Sequence, residues 1–243
     1  MPLILNLETA TQTCSVALSA DGNILGLRES QSEKAHSRQL GIFIRELLTE
    51  NDLEVAQLDA IAVSMGPGSY TGLRIGVSTA KGLAYGSDLP LIGIGTLDIL
   101  VSGALQNKEI ILLLEKNETA LLCPMIDARR MEVFTGLYTP EGKNIGKVTA
   151  LVVDENSFHE YLAKGPVIFF GNGAKKCMEK LPAPNALFID EIIPLARYMV
   201  PLAEQKWHKK KFEDLAYFEP FYLKDFIATV PRNKILPGKR SAR

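Results

Sequence analysis

The chain has 243 residues, with 27 Lys and Arg against 28 Asp and Glu, three cysteines and an apolar fraction of 47%. These values are typical of an ordinary globular protein whose length permits one large or two small domains, of which two is favoured. A formal net charge of −1 argues against nucleic-acid binding by this chain alone, because such domains usually carry a basic face. The longest apolar runs, such as 110–114 and 166–170, are too short to span a membrane. No signal peptide is recognisable, so we expect a cytoplasmic protein.

The cysteines indicate neither a disulfide framework nor a zinc site. Cys14, Cys123 and Cys177 stand far apart, each in an apolar or strand-like setting. Zinc sites typically show close pairs such as CxxC, and disulfide scaffolds are dense in cysteine. We therefore predict three buried thiols.

Three strands and a helix are predicted at the start of the chain. Residues 3–7 form a short apolar run, residues 14–19 alternate with a period of two, and residues 24–29 follow an Asp-Gly hairpin signal at 21–22. The next stretch has apolar side chains at the spacing of an amphipathic helix. They are Leu40, Phe43, Ile44, Leu47 and Leu48.

Parallel strands joined by helices are predicted after this point. Residues 59–64 have the pattern of a buried strand, 71–86 of a helix, 89–95 of a strand and 97–104 of a helix. The resulting β-β-β-α-β-α-β-α order is typical of a ribonuclease-H-like lobe, which actin, the sugar kinases and the chaperone ATPases use twice. We therefore predict an α/β protein whose first lobe spans residues 1–104.

A less regular copy of this order is predicted in the second half. Its elements are strands at 121–127, 131–139 and 145–153, a helix that Asp154 caps and Gly165 ends, strands at 166–170 and 186–189, and a helix at 193–209. The repetition predicts a two-lobed actin-like fold with a degenerate second lobe at 105–224. The basic tail, residues 225–243, has little to bury and is expected to be mobile.

A glycine-rich turn lies between the strand at 59–64 and the helix at 71–86. Gly66, Gly68 and Ser69 precede a helix N-terminus, where free backbone N–H groups are suited to phosphate. The turn lacks the Lys-Ser/Thr ending of a P-loop and the spacing of a dinucleotide fingerprint. By itself it is a weak signal.

The helix after this turn carries a stripe of small residues. Gly72, Gly76, Ala80 and Ala84 recur every four residues, although each glycine in a helix interior costs about 1 kcal/mol relative to alanine. Another part of the structure must therefore approach the backbone closely. Either the helix lies on its own sheet, or it packs against a helix of another subunit.

His36 stands in the preceding helix. No Asp, Glu or second His lies four residues later, where Leu40 is found. An interface or capping role is therefore favoured over metal ligation.

Several segments together resemble the TsaB (YeaZ) family. They are residues 4–11, 15–18, the helix with His36 and Ser37, 66–84, 126–133 and 221–224. The resemblance covers nearly the whole chain up to about Ala228, and the 66–84 motif is specific to this family and its catalytic relative TsaD. It implies a two-lobed actin-like fold and a bacterial partner subunit of the enzyme that attaches threonylcarbamoyl to the tRNA adenosine beside the anticodon.

The resemblance further implies a non-catalytic scaffold that binds TsaD together with the ATPase TsaE. We expect a homodimer when the partner is absent, because a surface suited to another subunit seldom stays solvated. We also expect contact with tRNA only within the complex, no membrane association and no required cofactor, since ATP and metal belong to the partner subunits. The first two helices would form the interface. The predicted interface residues are Ala35, His36, Leu40, Phe43, Ile44, Leu47, Thr71, Gly72, Ile75, Gly76, Thr79, Ala80, Leu83 and Ala84.

Catalytic groups of the family's relatives are replaced in this chain. Thr96 and Leu100 stand where TsaD-like proteins carry a metal-binding HxxxH pair, and neither side chain suits a divalent ion. Glu8 stands where related kinases place an Asp for Mg–phosphate. A vestigial phosphate site is nevertheless predicted. Its residues are Glu8, Thr9, Gly66, Gly68, Ser69, Gly171 and Gly173.

The alternative is an enzyme of the same fold, either a metallopeptidase or a small-molecule kinase. A peptidase needs HExxH or an equivalent ligand set, which His36, His159 and His208 in separate segments do not supply. A kinase stays open, because Glu8 and the two glycine-rich turns would suit phosphates.

Overall fold

The computed structural model describes residues 2–30, 36–190 and 192–224, without the side chains of His36 and Ser37. The predicted interface residue Ala35 and the basic tail at 225–243 lie outside the described residues. Within the described ranges, no helix has both the length and the apolar character needed to cross a membrane.

The first lobe contains a five-stranded sheet. Its elements are β1 (Leu3–Glu8), β2 (Cys14–Ala20), β3 (Asn23–Ser30), α1 (His36–Glu50), a 3-10 turn at Val55–Gln57, β4 (Ala60–Gly66), α2 (Tyr70–Gly86) and β5 (Leu91–Gly95). The strand order is β3-β2-β1-β4-β5. The first three strands pair antiparallel, whereas β4 and β5 run parallel to β1.

The second lobe repeats this topology. The elements after β5 are α3 (Thr96–Ala104), α4 (Lys108–Lys116), β6 (Leu121–Asp127), β7 (Glu132–Thr135), β8 (Thr149–Val152), α5 (His159–Leu162), β9 (Val167–Phe170), α6 (Ala174–Cys177), a 3-10 turn at Met178–Lys180, β10 (Ala186–Ile189) and α7 (Ala196–His208). The strands β6 to β10 form the second sheet. The order β8-β7-β6-β9-β10 matches the first sheet strand for strand, with the same parallel and antiparallel pairs. The predicted two-lobed actin-like α/β fold is confirmed.

The two faces of the first sheet are covered by different helices. Alternation along β1 directs Leu5 and Leu7 into the cluster that contains apolar residues of α1 and α2. Ile4 joins a separate cluster with Met199 and Ala203 of α7. Thus α1 and α2 lie side by side on one face of this sheet, and α7 lies on the other.

The position of α7 corrects the predicted second lobe. Residues 193–209 were expected to belong to it, but α7 packs on the first sheet and against α3. The segment after α7 also returns to that sheet, where the Glu213 N–H donates to the Leu91 carbonyl (2.9 Å). Near-continuous apolar strands do not specify which distant helix covers them, so the sequence pattern misses this crossing.

The helix α3 joins the two lobes. Leu100 and Val101 pack with Leu122 and Phe170 of the second sheet, whereas Ile99 lies in the first-sheet cluster beneath α7. The buried ring of Tyr138 adds a polar link, since its hydroxyl donates to Asp98 Oδ1 (2.9 Å).

The structure differs from the predicted helices in two places. The helix α4 was not predicted, although Asn107 caps it by accepting from the N–H groups of Glu109 and Ile110. Asp154 was predicted to cap a helix ending at Gly165. It instead accepts from the Ser157 hydroxyl (2.8 Å) in a turn, and the helix α5 has only four residues. Such local turns compete with helix initiation.

Candidate functional site

The glycine-rich turn leads into α2 as predicted, but its N–H groups have partners within the chain. Ser69 is the N-cap, and its side chain accepts from the Gly72 N–H (3.3 Å). The Ser69 N–H donates to the Ala10 carbonyl (2.7 Å), and the Leu73 N–H donates to the Ser69 carbonyl (2.9 Å). The Leu73 bond is the first ordinary bond of the helix, so two of the groups that a phosphate would use at this N-terminus, the N–H groups of Ser69 and Gly72, are taken.

The loop after β1 lies directly on this turn. A β-carbon built on Gly68 or on Gly72 would lie under 3.0 Å from a carbonyl oxygen, that of Ala10 or Thr9 respectively. One built on Gly76 would meet the Thr9 hydroxyl, which donates to the Gly72 carbonyl (2.8 Å). The glycines are thus explained by close packing of the chain's own loop.

Glu8, at the end of β1, is completely buried. Its Oε1 accepts from the Ala10 N–H (2.5 Å), and its Oε2 has no hydrogen-bond partner. Burial raises the pKa of its carboxyl from 4.5 to about 7, against the opposing effect of hydrogen bonds from Ala10 and Ser64. A carboxyl that is substantially protonated near neutral pH is a poor replacement for the Asp of a Mg–phosphate site.

The second-lobe turn occupies the equivalent place after β9. Gly171 has φ +101°, and a β-carbon on it would collide with the Met125 carbonyl, to which the Gly173 N–H donates (2.9 Å). The Asp127 N–H donates to Asn172 Oδ1 (2.9 Å), and the Asp127 carboxylate forms an ion pair with Lys176. This turn, too, is closed by groups of the chain itself.

The two residues at the predicted metal-pair positions lie in the core. Thr96 is completely buried, with no hydrogen-bond partner for its Oγ1, and Leu100 lies in the apolar cluster around α3. Among the described residues, no three His, Cys, Asp or Glu side chains come close enough to hold a metal ion.

The small-residue stripe of α2 faces inward. Gly72, Gly76, Ala80 and Ala84 are all buried, and both alanines belong to the core cluster of the first sheet. Their burial leaves no exposed side-chain surface for a partner helix and favours the alternative that α2 rests on its own lobe. Leu40, Ile44 and Leu47 of α1 are likewise buried in that cluster.

The remaining predicted interface positions lie at the edge of the first-sheet core, and Phe43, Ile75 and Leu83 pack partly against it. Thr71 is exposed, and Phe43, Ile75, Thr79 and Leu83 are partly buried. His36 begins α1, and its side chain lies outside the described residues.

Sequence reasoning missed other surface residues on the same two helices. Ile42 is 41% exposed and Tyr85 is 82% exposed. Among the described residues, no atom lies within 4 Å of a β-carbon built on Gly41 or Gly82. Thr71, Ile75, Ser78, Gly82 and Tyr85 recur at the three- and four-residue spacing that places them on one side of α2, and this spacing could have indicated the exposed side.

We call the outward side of these two adjacent helices the α1–α2 outer face. It is defined by Gly41, Ile42, Phe43, Thr71, Ile75, Ser78, Gly82 and Tyr85. It combines apolar side chains with two helical glycines that no contact within the described chain requires.

Comparison with known proteins agrees with this architecture. The family model described as "TsaD: tRNA N6-adenosine threonylcarbamoyltransferase" matches residues 26–230. A protein of Escherichia coli K12 named "tRNA threonylcarbamoyladenosine biosynthesis protein TsaB" is 32% identical, over 97% of this chain and 99% of its own. The chain belongs to the TsaB family.

Other TsaB-family matches are consistent with this assignment. The protein of the same name from Bacillus subtilis is 33% identical over 70% of each chain. The solved structure described as YeaZ from Pseudomonas aeruginosa has a TM-score of 0.76 and 26% identity, and the match covers 92% of this chain and all of that one. The TsaB-type fold thus extends over nearly all of the chain.

Proposed function

We propose that this chain is the non-catalytic partner subunit of a threonylcarbamoyl-transferring complex that modifies tRNA adenosine beside the anticodon. It binds a TsaD-type catalytic subunit and works with a TsaE-type ATPase in the cytoplasm. The names of its relatives place them in this biosynthesis. The observation that carries the non-catalytic role is that Thr9 and Ala10 occupy the space at the glycine-rich turn before α2, where a phosphate would otherwise bind.

The other predicted phosphate and metal positions in both lobes support the same role. Glu8 is buried with a raised pKa, and Asp127 is paired with Lys176. Thr96 and Leu100 belong to the core around α3. In this proposal ATP and metal are held by the partner subunits, and this chain needs no cofactor.

The α1–α2 outer face is the proposed binding surface. Glycine in a helix interior costs about 1 kcal/mol relative to alanine, and neither Gly41 nor Gly82 has a contact in the described chain that requires it. Small residues permit the backbone of another helix to approach closely, while Ile42, Ile75 and Tyr85 supply apolar contact area.

The same face would serve a homodimer when the partner is absent, because an apolar face suited to another subunit tends to associate. Contact with tRNA is expected only within the complex, given the net charge of −1.

Reconstitution tests the proposed function. The purified chain alone should show no threonylcarbamoyl transfer, no kinase activity and no proteolysis. A TsaD-type subunit with TsaE should transfer the group to tRNA only when this chain is added. Metal-stimulated turnover by the chain alone, abolished by a point substitution within it, would contradict the proposal.

A further inference from the structure

A preformed groove runs along the segment that follows α7. It has a volume of about 570 Å³, and its apolar wall includes Tyr217, Phe221 and Tyr222. The Tyr217 side chain is 85% exposed, and Phe221 and Tyr222 are each about two-fifths exposed. Such a concentration of exposed aromatic rings is typical of a surface that another segment covers.

Backbone hydrogen bonds fix both ends of the segment that forms the groove. The Glu213 N–H donates to the Leu91 carbonyl (2.9 Å) at one end, and the Phe221 N–H donates to the Met65 carbonyl (2.7 Å) at the other. The Tyr222 ring packs on Tyr70 of α2 with ring centres 4.9 Å apart. A segment binding there would therefore enter a surface that is already ordered.

The groove has unpaired negative charge. Glu213, Asp214 and Glu219 line it, and none of the three forms an ion pair within the described part of the chain. The nearby cation Lys81 donates to the carbonyls of Ala216 and Phe218, and Arg74 lies over the Tyr70 ring. The groove therefore suits a segment that combines basic and apolar side chains.

The chain itself contains such a segment directly beyond Lys224. Residues 225–243 carry five basic residues against the single acid Asp225. The basic residues are Arg232, Lys234, Lys239, Arg240 and Arg243, and apolar residues such as Phe226, Ile227, Ile235 and Leu236 lie among them.

We propose that residues 225–243 bind in this acidic, aromatic groove. Arg232 follows Tyr222 by ten residues, and a chain extends by about 3.3 Å per residue, so its side chain has ample reach to turn back. Attachment to the same chain gives the segment an effective concentration in the millimolar range. Electrostatic attraction and aromatic contact therefore suffice without high intrinsic affinity.

Photo-crosslinking of the full-length chain tests this. A benzophenone amino acid replaces Tyr217, and a control protein carries it at Tyr85, which is equally exposed on α2. Crosslinked peptides are identified by mass spectrometry after separation of monomer from dimer. We expect the Tyr217 probe in the monomer to capture peptides from 225–243, and the Tyr85 probe not to do so.

Charge reversal supplies the second measurement. An exposed ion pair contributes about 0.2–1 kcal/mol, so Glu219→Lys should lower the crosslink yield by about 1.4- to fivefold, and added salt should lower it too. Glu118→Lys, an exposed change in the loop before β6, is the matched control and should leave the yield unchanged. Any of four results would overturn the proposal. They are capture of the tail only between two copies, capture only of another protein, equal yields from both probes, and a yield that Glu219→Lys does not change.

Discussion

Two alanine substitutions on the same helix are expected to change stability in opposite directions. At Gly72 a β-carbon would lie under 3.0 Å from the Thr9 carbonyl oxygen, a backbone atom that cannot rotate away. At Gly82 a β-carbon would meet no atom within 4 Å. Gly72→Ala therefore forces the loop after β1 away from α2, whereas Gly82→Ala changes only the helix.

The magnitudes follow from helix propensity and overpacking. Alanine is favoured over glycine in a helix interior by about 0.8–1.0 kcal/mol, and Gly82→Ala should gain this amount. Overpacking costs about 1–3 kcal/mol, and Gly72 lies in the first turn, where the gain in propensity is small. Since 1 kcal/mol corresponds to about 2–4 °C at this chain length, Gly82→Ala should raise Tm by about 2–4 °C. Gly72→Ala should lower it by about 2–12 °C.

Thermal melting followed by circular dichroism measures both effects under identical conditions. Gly146→Ala, in an open loop of the second lobe, provides a control for the substitution itself. If Gly72→Ala melted at or above the temperature of the parent protein, the packing of α2 on its own loop would be refuted. The stripe would then again be available to a partner.

Three further outcomes are expected. Burial raises the pKa of Glu8 to about 7, so the folded protein holds a proton that the unfolded chain loses above pH 4.5. The free energy of unfolding should therefore fall by on the order of 3 kcal/mol as pH rises from 4.5 to about 7. Denaturant titrations of Glu8→Gln should lack this decline. Tyr138→Phe leaves the largely buried Asp98 without its donor and should lower the free energy of unfolding by about 1–3 kcal/mol, with an unchanged denaturant midpoint as the contrary result. Calorimetric titration with Mg-ATP should give no saturable binding at micromolar concentrations, because the α2 N-terminus is occupied by Ala10 and Ser69; a micromolar Kd would revive the kinase alternative.

The sheets could be predicted from the sequence because their signals are local. Alternation in residues 14–19 and the Asp-Gly turn at 21–22 specify the first hairpin, and the same order of apolar runs recurs from residue 121. The repeated strand order followed from these patterns. The covering of the first sheet by α7 did not, because its contacts with β1 join positions nearly 200 residues apart.

The candidate site was predicted in position but not in orientation. The spacing of Gly72, Gly76, Ala80 and Ala84 correctly indicated a close backbone approach, and it could not distinguish the chain's own loop from a partner helix. The structure shows that the close approach comes from the chain's own loop, since the carbonyl and hydroxyl of Thr9 occupy the space beside Gly72 and Gly76. At an outward-facing residue such as Gly82, a side chain would meet no other part of the described chain, so such residues leave only a weak pattern in a single sequence.

The central claim is that the α1–α2 outer face binds a TsaD-type subunit, and the most direct measurement is the affinity of that subunit for two leucine variants. Gly82→Leu places four heavy atoms where the partner's backbone is proposed to lie, and overpacking of about 1–3 kcal/mol corresponds to roughly five- to 150-fold weaker binding. Gly146→Leu makes the same change in open space on the other lobe and should leave Kd unchanged. With both variants melting no lower than the parent protein, equal affinities for Gly82→Leu, Gly146→Leu and the parent would contradict the account.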